Sequence, residues 1–285
     1  PALSPVVWIG DQRTDFQPDD GFPTVVPLAL GLSNSGVPVV THDIGGYASF
    51  GNPPTTQELW YRWCALGAFS PIMRTHHGAF ADDNFQFDTD PDGLAFWAEM
   101  THEHMRLFPY RYGLAAQAAD HGIPMLLHPA MVSEGVAWSR MDAWMLGDAL
   151  LVFPVTEAGA TVWDVQLPDG DWVDYWTLEP ASSGMVDVPL DHIPVFVRSG
   201  SVVPLFDVIP QTLLPDTDRV DLDDADPSRT VLVVGQGGAF SEADGTDYTW
   251  VSAGSGTETQ TLTSGTVNGL EIQGDVERTY TVVVR

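Results

Sequence analysis

The sequence predicts an α/β piece followed by an all-β piece, and two changes of texture along the chain carry that reading. Up to about residue 125, short apolar runs alternate with stretches of helical period, and each run ends in a polar tail; this is the signature of parallel β/α units. After about residue 145 the apolar runs are short, strand-like and separated by turn signals. The length of 285 residues suggests about two domains with a sizeable core. With 44% hydrophobic residues and 10 Trp, the composition is globular and not disordered.

The first run, Val6-Val7-Trp8-Ile9, leads into Gly10-Asp11-Gln12, and the second, Val37-Pro38-Val39-Val40, leads into Thr41-His42-Asp43. Between them residues 23–35 can carry a helix that Gly36 stops. Residues 56–69 predict a helix with Leu59, Trp63 and Leu66 on one face and Thr55 or Thr56 as N-cap. A third run, Phe69-Ser70-Pro71-Ile72-Met73, ends in Arg74-Thr75-His76-His77, and residues 92–119 read as a long helical stretch interrupted at Leu107-Phe108-Pro109. Strands follow over residues 150–155, 161–167 and 195–198, divided by Pro168-Asp169-Gly170 and Ser199-Gly200. An acidic, Pro-flanked segment over residues 214–227 reads as a linker or solvated loop. Beyond it, residues 230–234, 248–251, 257–262 and 278–284 give further strands, so two small β-modules follow the α/β piece, with no internal repeat of fixed period.

Charge narrows the partners. Against 39 acidic residues stand 11 basic ones, all Arg, for a net charge of −28. A surface this anionic is repelled by phosphate backbones and by anionic lipid, which argues against nucleic-acid and membrane partners. No apolar run approaches the roughly 20 residues of a membrane span. Cys64 is the lone cysteine, so neither an internal disulfide framework nor a thiol-rich metal site is available, and its neighbours Trp60, Trp63 and Leu66 make it a buried small hydrophobe. The amino end, Pro1-Ala2-Leu3-Ser4-Pro5, carries no initiator Met or secretion signal, and the expectation is a chain that begins within a longer polypeptide. Acidity without Lys fits an external or salty medium, which favours an extracellular or periplasmic setting.

The polar tails hold the chemistry. Asp11, Asp43 and Arg74-Thr75-His76 each follow a strand-like run, and in a parallel β/α barrel the carboxyl ends of the strands converge on one mouth. Carboxylates with a His and an Arg around a mouth are the groups that bind sugar hydroxyls and protonate a glycosidic oxygen. Each also has a plainer reading: Asp11 as a helix N-cap, Asp43 as a brace for the Gly45-Gly46 turn, His76 as a core histidine. Spacing alone leaves the two readings even.

Elsewhere the plainer readings prevail. Asp88, Asp90, Asp92 and Glu99 satisfy a calcium-loop spacing, but residues 84–87 are no entering helix and Asp92 suits a helix N-cap. His102 and His104 are two apart and diverge on a helix, as surface or core residues do. Trp163, Trp172 and Trp176 read as sandwich core. The expectation is no metal and no cofactor.

In order and spacing the residues resemble glycoside hydrolase family 31. The resemblance rests on Trp8-Ile9-Gly10-Asp11-Gln12, Thr41-His42-Asp43-Ile44-Gly45-Gly46-Tyr47, Glu58 to Trp63, Gly67 to Pro71 and Arg74-Thr75-His76. It continues through Leu107 to Tyr110, Met145 to Val155, Leu167 to Trp176, Ile193 to Pro204 and Phe240 to Tyr248, and so covers nearly the whole chain. What it implies is a retaining α-glycosidase: the last strands of a (β/α)8 catalytic barrel over residues 1–135, a proximal β-sandwich over 136–207 and a distal one over 208–285. By position Asp11 resembles the general acid/base and Trp8 a wall of the glycone pocket. Asp43, Arg74 and His76 match residues that hold the sugar, Arg74 through neighbouring carboxylates, and Tyr47 falls beside the leaving group.

One departure from the pattern is decisive. The family's nucleophile is an Asp on an earlier strand, and nothing in this chain matches it. A retaining mechanism needs two carboxyl groups, and three strands cannot close a barrel. The expectation is therefore an upstream polypeptide that supplies the nucleophile and the rest of the barrel, with this chain inactive in isolation. The substrate implied is an α-glycoside or α-linked oligosaccharide, by default a terminal α-glucoside. The Gly10-Asp11-Gln12 and Gly46-Tyr47 variants also resemble the sulfoquinovosidase branch, where that Tyr contributes to sulfonate recognition. A non-catalytic carbohydrate-binding or structural module is the remaining class, though it gives no reason to keep Asp11, Asp43 and His76 at strand ends.

Overall fold

The computed structural model describes residues 6–214 and 218–285; the amino-terminal motif and residues 215–217 of the acidic segment lie outside the described residues. Strand β1 (Val6–Trp8) pairs in parallel with β2 (Val39–Thr41), with Trp8 opposite Thr41. The crossover between them is helix α1 (Val25–Asn34), entered by a 3-10 turn at Phe22–Thr24 and buried through Val25, Val26, Ala29 and Leu30. The third run is not a continuous strand. It pairs with the end of β2 and the loop after it through isolated parallel bridges at Thr41–Ile72 and Ile44–Thr75. Pro71 has no amide hydrogen to give a ladder, and the Thr41 hydroxyl donates instead to the Ile72 carbonyl at 3.2 Å.

Helix α2 (Gln57–Ala68) starts where Thr56 accepts from the Leu59 amide at 3.2 Å. One buried face was the expectation, yet every residue from Leu59 to Ala68 is buried. The loop after β2, through His42 and Ile44, covers one side, and α3 (Pro91–Arg106) and a loop around residues 188–192 pack on others. Into that loop α2 sends Arg62, whose guanidinium donates to the carbonyls of Pro189, Val188 and Ala160 at 2.8 Å and of His192 at 3.3 Å. The cap of α3 is Asp90, whose carboxylate accepts from the Gly93 amide at 2.6 Å, and not Asp92. Pro91 decides this, because its fixed φ and missing N–H suit the first helical position. Leu107 separates α3 from α4 (Phe108–His121), which ends at Gly122 in the left-handed conformation.

Strands Leu126–Leu127, Trp144–Leu146, Leu150–Val152, Val195–Arg198, Trp172–Asp174 and Pro180–Ala181 form one antiparallel sheet in that order. Side chains alternate across it. Trp144, Leu146, Leu150, Val152, Val195 and Val197 join the main core, whereas Met145, Leu151, Phe153, Phe196 and Trp172 build a second cluster on the other face. Burial on both faces explains why these strands read as continuous apolar runs. Of the three tryptophans, Trp172 is fully packed, Trp163 is half-buried against the second cluster, and Trp176 packs edge-on against Phe69 at 5.7 Å.

The remaining strands form two four-stranded sheets. One runs Ser201–Phe206, Ser228–Val234, Arg278–Val284, Gly256–Leu262, with a parallel pair at its centre. The other runs Ala239–Ser241, Asp247–Trp250, Leu270–Gln273, Gly265–Val267. The acidic segment is more than a solvated loop. It contains a helical turn, α5 (Leu222–Ala225), opened by a capping box between Asp221 and Asp224. Asp226 just past it pairs with buried Arg229 at 3.0 Å and buried Arg278 at 2.8 Å. Arg229 continues to buried Glu242 at 3.1 Å, and Glu242 accepts from the Tyr248 hydroxyl at 2.5 Å. One aspartate of this stretch, Asp226, therefore helps to neutralise two arginines inside the distal module.

Candidate active site

The three parallel runs end side by side, so the loops that follow them share one rim. The Ile9 amide donates to the Thr41 carbonyl at 3.1 Å and the Ile44 amide to the Arg74 carbonyl at 3.1 Å, carrying the alignment past the strands into the polar tails. Asp43 sits at the centre with its side chain 1% exposed. Its Oδ2 accepts from the Trp8 indole at 3.1 Å, and its Oδ1 accepts from Arg74 Nε at 2.8 Å and from a second guanidinium nitrogen of the same arginine. The guanidinium also lies 5.7 Å from the centre of the Trp8 ring. Trp8, Asp43 and Arg74 thus form one connected group, with Trp8 41% exposed toward solvent.

Asp11 is exposed on the loop after β1. The loop after β2 is tied to it by two hydrogen bonds, from the Tyr47 and Ala48 amides to the Gln12 carbonyl, both 2.9 Å. Gly46 makes that approach possible: it has φ +78°, and a Cβ there would lie 2.7 Å from the Arg13 carbonyl oxygen. Tyr47 meets His76 edge-to-face with ring centres 5.0 Å apart. His76 is exposed, and its Nδ1 accepts from the Gly78 amide at 3.2 Å, which fixes its orientation on the third tail. Of the six residues singled out in the sequence, Trp8 ends β1 and the other five stand on the three adjacent loops. Hydrogen bonds join Trp8, Asp43 and Arg74 directly and a ring contact seats Tyr47 against His76, while Asp11 has no hydrogen-bond or ion-pair partner among the described residues.

Behind Asp43 lies a group the sequence reading did not single out. His42 faces the opposite side of the strand and is 2% exposed. Its Nδ1 accepts from the Trp63 indole at 3.0 Å, and because indole is only a donor, the ring proton must be on Nε2. Nε2 then donates to Ser70 Oγ at 2.8 Å, and Ser70 donates to the Leu66 carbonyl at 3.0 Å. Burial, with help from the Arg74 charge, pushes the His42 pKa down to about 3. The only trace of this in the sequence is the period of 2, which sends residues 41 and 43 to one side and 42 to the other. Gln12 is likewise buried at 2%, with its side-chain Oε1 left without a partner.

The calcium spacing does not gather its carboxylates: among the described residues no three His, Cys, Asp or Glu side chains converge as metal ligands. Nor is any helix among them long and apolar enough to cross a membrane.

Two family profiles match the chain. The glycosyl hydrolases family 31 TIM-barrel domain matches residues 3–114, and the glycosyl hydrolase family 31 C-terminal domain matches residues 123–203. The chain belongs to glycoside hydrolase family 31. Residues 3–114 match the end of the barrel domain, and the six-stranded sheet falls within the C-terminal-domain match. Among its relatives, the sulfoquinovosidase of Escherichia coli K12 is 38% identical over 202 residues, covering 70% of this chain and 30% of that protein. The human neutral alpha-glucosidase C is 35% identical over 206 residues, covering 70% of this chain and 22% of that protein. A solved family 31 sulfoquinovosidase from E. rectale, in complex with an aza-sugar inhibitor, superposes with a TM-score of 0.64 at 35% identity over 68% of this chain and 30% of that one. The family 31 dextranase of Flavobacterium johnsoniae, at 22% identity, shares the fold across 98% of this chain with a TM-score of 0.74 and is covered over 36%. This chain therefore spans about 30% of the length of the sulfoquinovosidase it matches.

Proposed function

We propose that this chain supplies the general acid/base and the glycone-holding residues of a retaining α-glycosidase whose nucleophile lies in upstream polypeptide. The observation that carries the reading is the grouping of Trp8, Asp43 and Arg74 on one rim with solvent-facing Asp11 on the neighbouring loop. An exposed carboxyl beside a mouth can reach a glycosidic oxygen, protonate it as the bond breaks, and then take a proton from the incoming water. Asp43 has a different task. A carboxylate that is buried and held by both an indole and a guanidinium is a poor nucleophile, since attack would have to break those bonds. It acts on the sugar by holding Trp8 and Arg74 in place, and Trp8 presents its ring to the pyranose. His76 helps to hold the sugar, and Tyr47, packed against it, stands where the leaving group departs. On this reading the chain is inactive until the rest of the barrel completes it, and residues 1–135, 136–207 and 208–285 are its barrel, proximal and distal portions.

Terminal α-glucosides are the default substrate of this site. A second reading, an α-glycoside of the 6-sulfonated sugar sulfoquinovose, is favoured by the 38% identity to the E. coli sulfoquinovosidase and by Tyr47 standing free of the Asp43–Arg74 pair. The test is proton NMR of the first-formed product when the completed enzyme is given matched α-glucoside and α-sulfoquinovoside. Release of the α-anomer supports retention, and the sugar turned over selects the branch. Release of the β-anomer, or no turnover of either, overturns the proposal.

A further inference from the structure

The rim carries two exposed aromatic side chains that the glycone-holding group does not use. Phe50 is 62% exposed and Phe80 is 48% exposed, although large apolar side chains are ordinarily withdrawn from water. They come from different loops yet meet edge-to-face with ring centres 5.3 Å apart. Phe50 in turn meets Tyr47 edge-to-face at 6.5 Å, and Tyr47 meets His76 at 5.0 Å. The four rings form a continuous ridge that leads from the mouth outward.

Both loops are held in place. The Ala79 amide donates to the Tyr47 carbonyl at 3.0 Å, joining one loop to the other. Buried Asn84 donates to the His77 carbonyl and accepts from the Thr55 amide, each at 2.9 Å. Gly78, with φ +75°, packs so tightly on Asn84 that a Cβ would lie 2.6 Å from its Nδ2. A ridge fixed in this way loses little conformational freedom when something settles on it.

Its position says what settles there. The leaving group must lie on the acid/base side of the scissile bond, because the acid protonates the leaving oxygen. The Phe50 loop is bonded to the backbone of Gln12, next to Asp11, so the ridge extends the pocket on that side. We propose that Phe50 and Phe80 form an aglycone subsite that selects α-glycosides whose leaving group is apolar. The inference rests on the function proposed above, with Asp11 as acid/base, and adds the class of aglycone.

The test compares octyl and methyl α-glycosides of whichever sugar the completed enzyme hydrolyses. The two leaving alcohols need protonation to a similar degree and differ mainly in apolar surface. The wild-type enzyme should favour octyl over methyl in kcat/KM. Phe50→Ser and Phe80→Ser should each lower that ratio about three- to tenfold, the size of one aromatic contact. Phe50→Trp should keep it, and Val276→Ser, on the distant distal module, should leave both rates as they were. A wild-type ratio near one overturns the subsite. So does an unchanged ratio in both Ser variants, including the case in which they melt at lower temperature, since the ridge would then be covered by polypeptide. Failure to hydrolyse even the methyl glycosides would instead sink the functional reading itself.

Discussion

Replacing Arg62 with Met removes a guanidinium that holds four carbonyl oxygens while keeping its unbranched stem in the core. Arg62 is 4% exposed, and its bonds run from α2 to residues more than ninety positions later in the chain, at Ala160, Val188, Pro189 and His192. A hydrogen bond to a charged group contributes roughly 1.5–3 kcal/mol, and a buried carbonyl left without a donor costs about 1–3 kcal/mol. Burial of the guanidinium opposes this and pulls its pKa below the ordinary range. Water can also reach several of the freed carbonyls, so the four bonds do not add. The net loss expected for Arg62→Met is about 3–5 kcal/mol, at the upper end of single substitutions. Arg62→Lys, with one compact donor head in place of a fork, should fall in between. The assay is urea unfolding of the completed enzyme followed by tryptophan fluorescence. A loss below about 1 kcal/mol for the Met variant would refute the claim that this arginine fastens the barrel helix to the sandwich loop.

Acid should destabilise the protein through His42. In the unfolded chain this ring takes a proton near pH 6.5, but in the fold only near pH 3. Below pH 6.5 the unfolded state therefore binds the extra proton, and stability falls as pH drops toward 3, by up to roughly 5 kcal/mol from this group. His42→Phe should be less stable at pH 7 yet show a shallower loss on acidification; an unchanged acid slope would contradict the buried neutral histidine. Expressed alone, the 285-residue chain should aggregate or partly unfold, because Val6 and Trp8 on the outermost strand remain 38% and 41% exposed. A monodisperse monomer with a cooperative melt would count heavily against that. In the completed enzyme, Asp43→Ala and His76→Ala should weaken natural and activated glycosides by the same factor, since each is assigned to hold the sugar; a selective loss on poor leaving groups would reassign them.

Much of the fold was legible because local rules and burial agree in this chain. Of the two threonines offered as cap, Thr56 caps α2, and the break between α3 and α4 falls at Leu107, before Pro109. The cap of α3 was legible but misread: Pro91 at the first helical position makes Asp90, not Asp92, the cap. Patterning could not show that α2 is buried on all sides, because the residue that marks its outer face, Arg62, is an ion that ordinarily signals solvent. The acidic segment misled for the converse reason: Asp226 looks solvated until Arg278, 52 residues further on, folds onto it beside Arg229. At the site, strand-end positions pointed to residues that the fold brings onto neighbouring strand ends and loops. The bonds that join Trp8 to Asp43 and Asp43 to Arg74 cross 35 and 31 residues, and no spacing rule reaches that far.

The acid/base role of Asp11 is the claim on which the rest depends, and the completed enzyme carrying Asp11→Ala tests it most directly. On a natural disaccharide, whose leaving group needs a proton, the variant should lose about 10²–10⁴-fold in rate. With an activated aryl glycoside the glycosylation step should lose far less, because that leaving group departs without help. Azide should then restore turnover by attacking the glycosyl-enzyme without base assistance, giving a glycosyl azide that keeps the substrate's α configuration. Equal losses on both substrates with no response to azide would contradict the assignment, and the pocket would have to draw its acid from another residue.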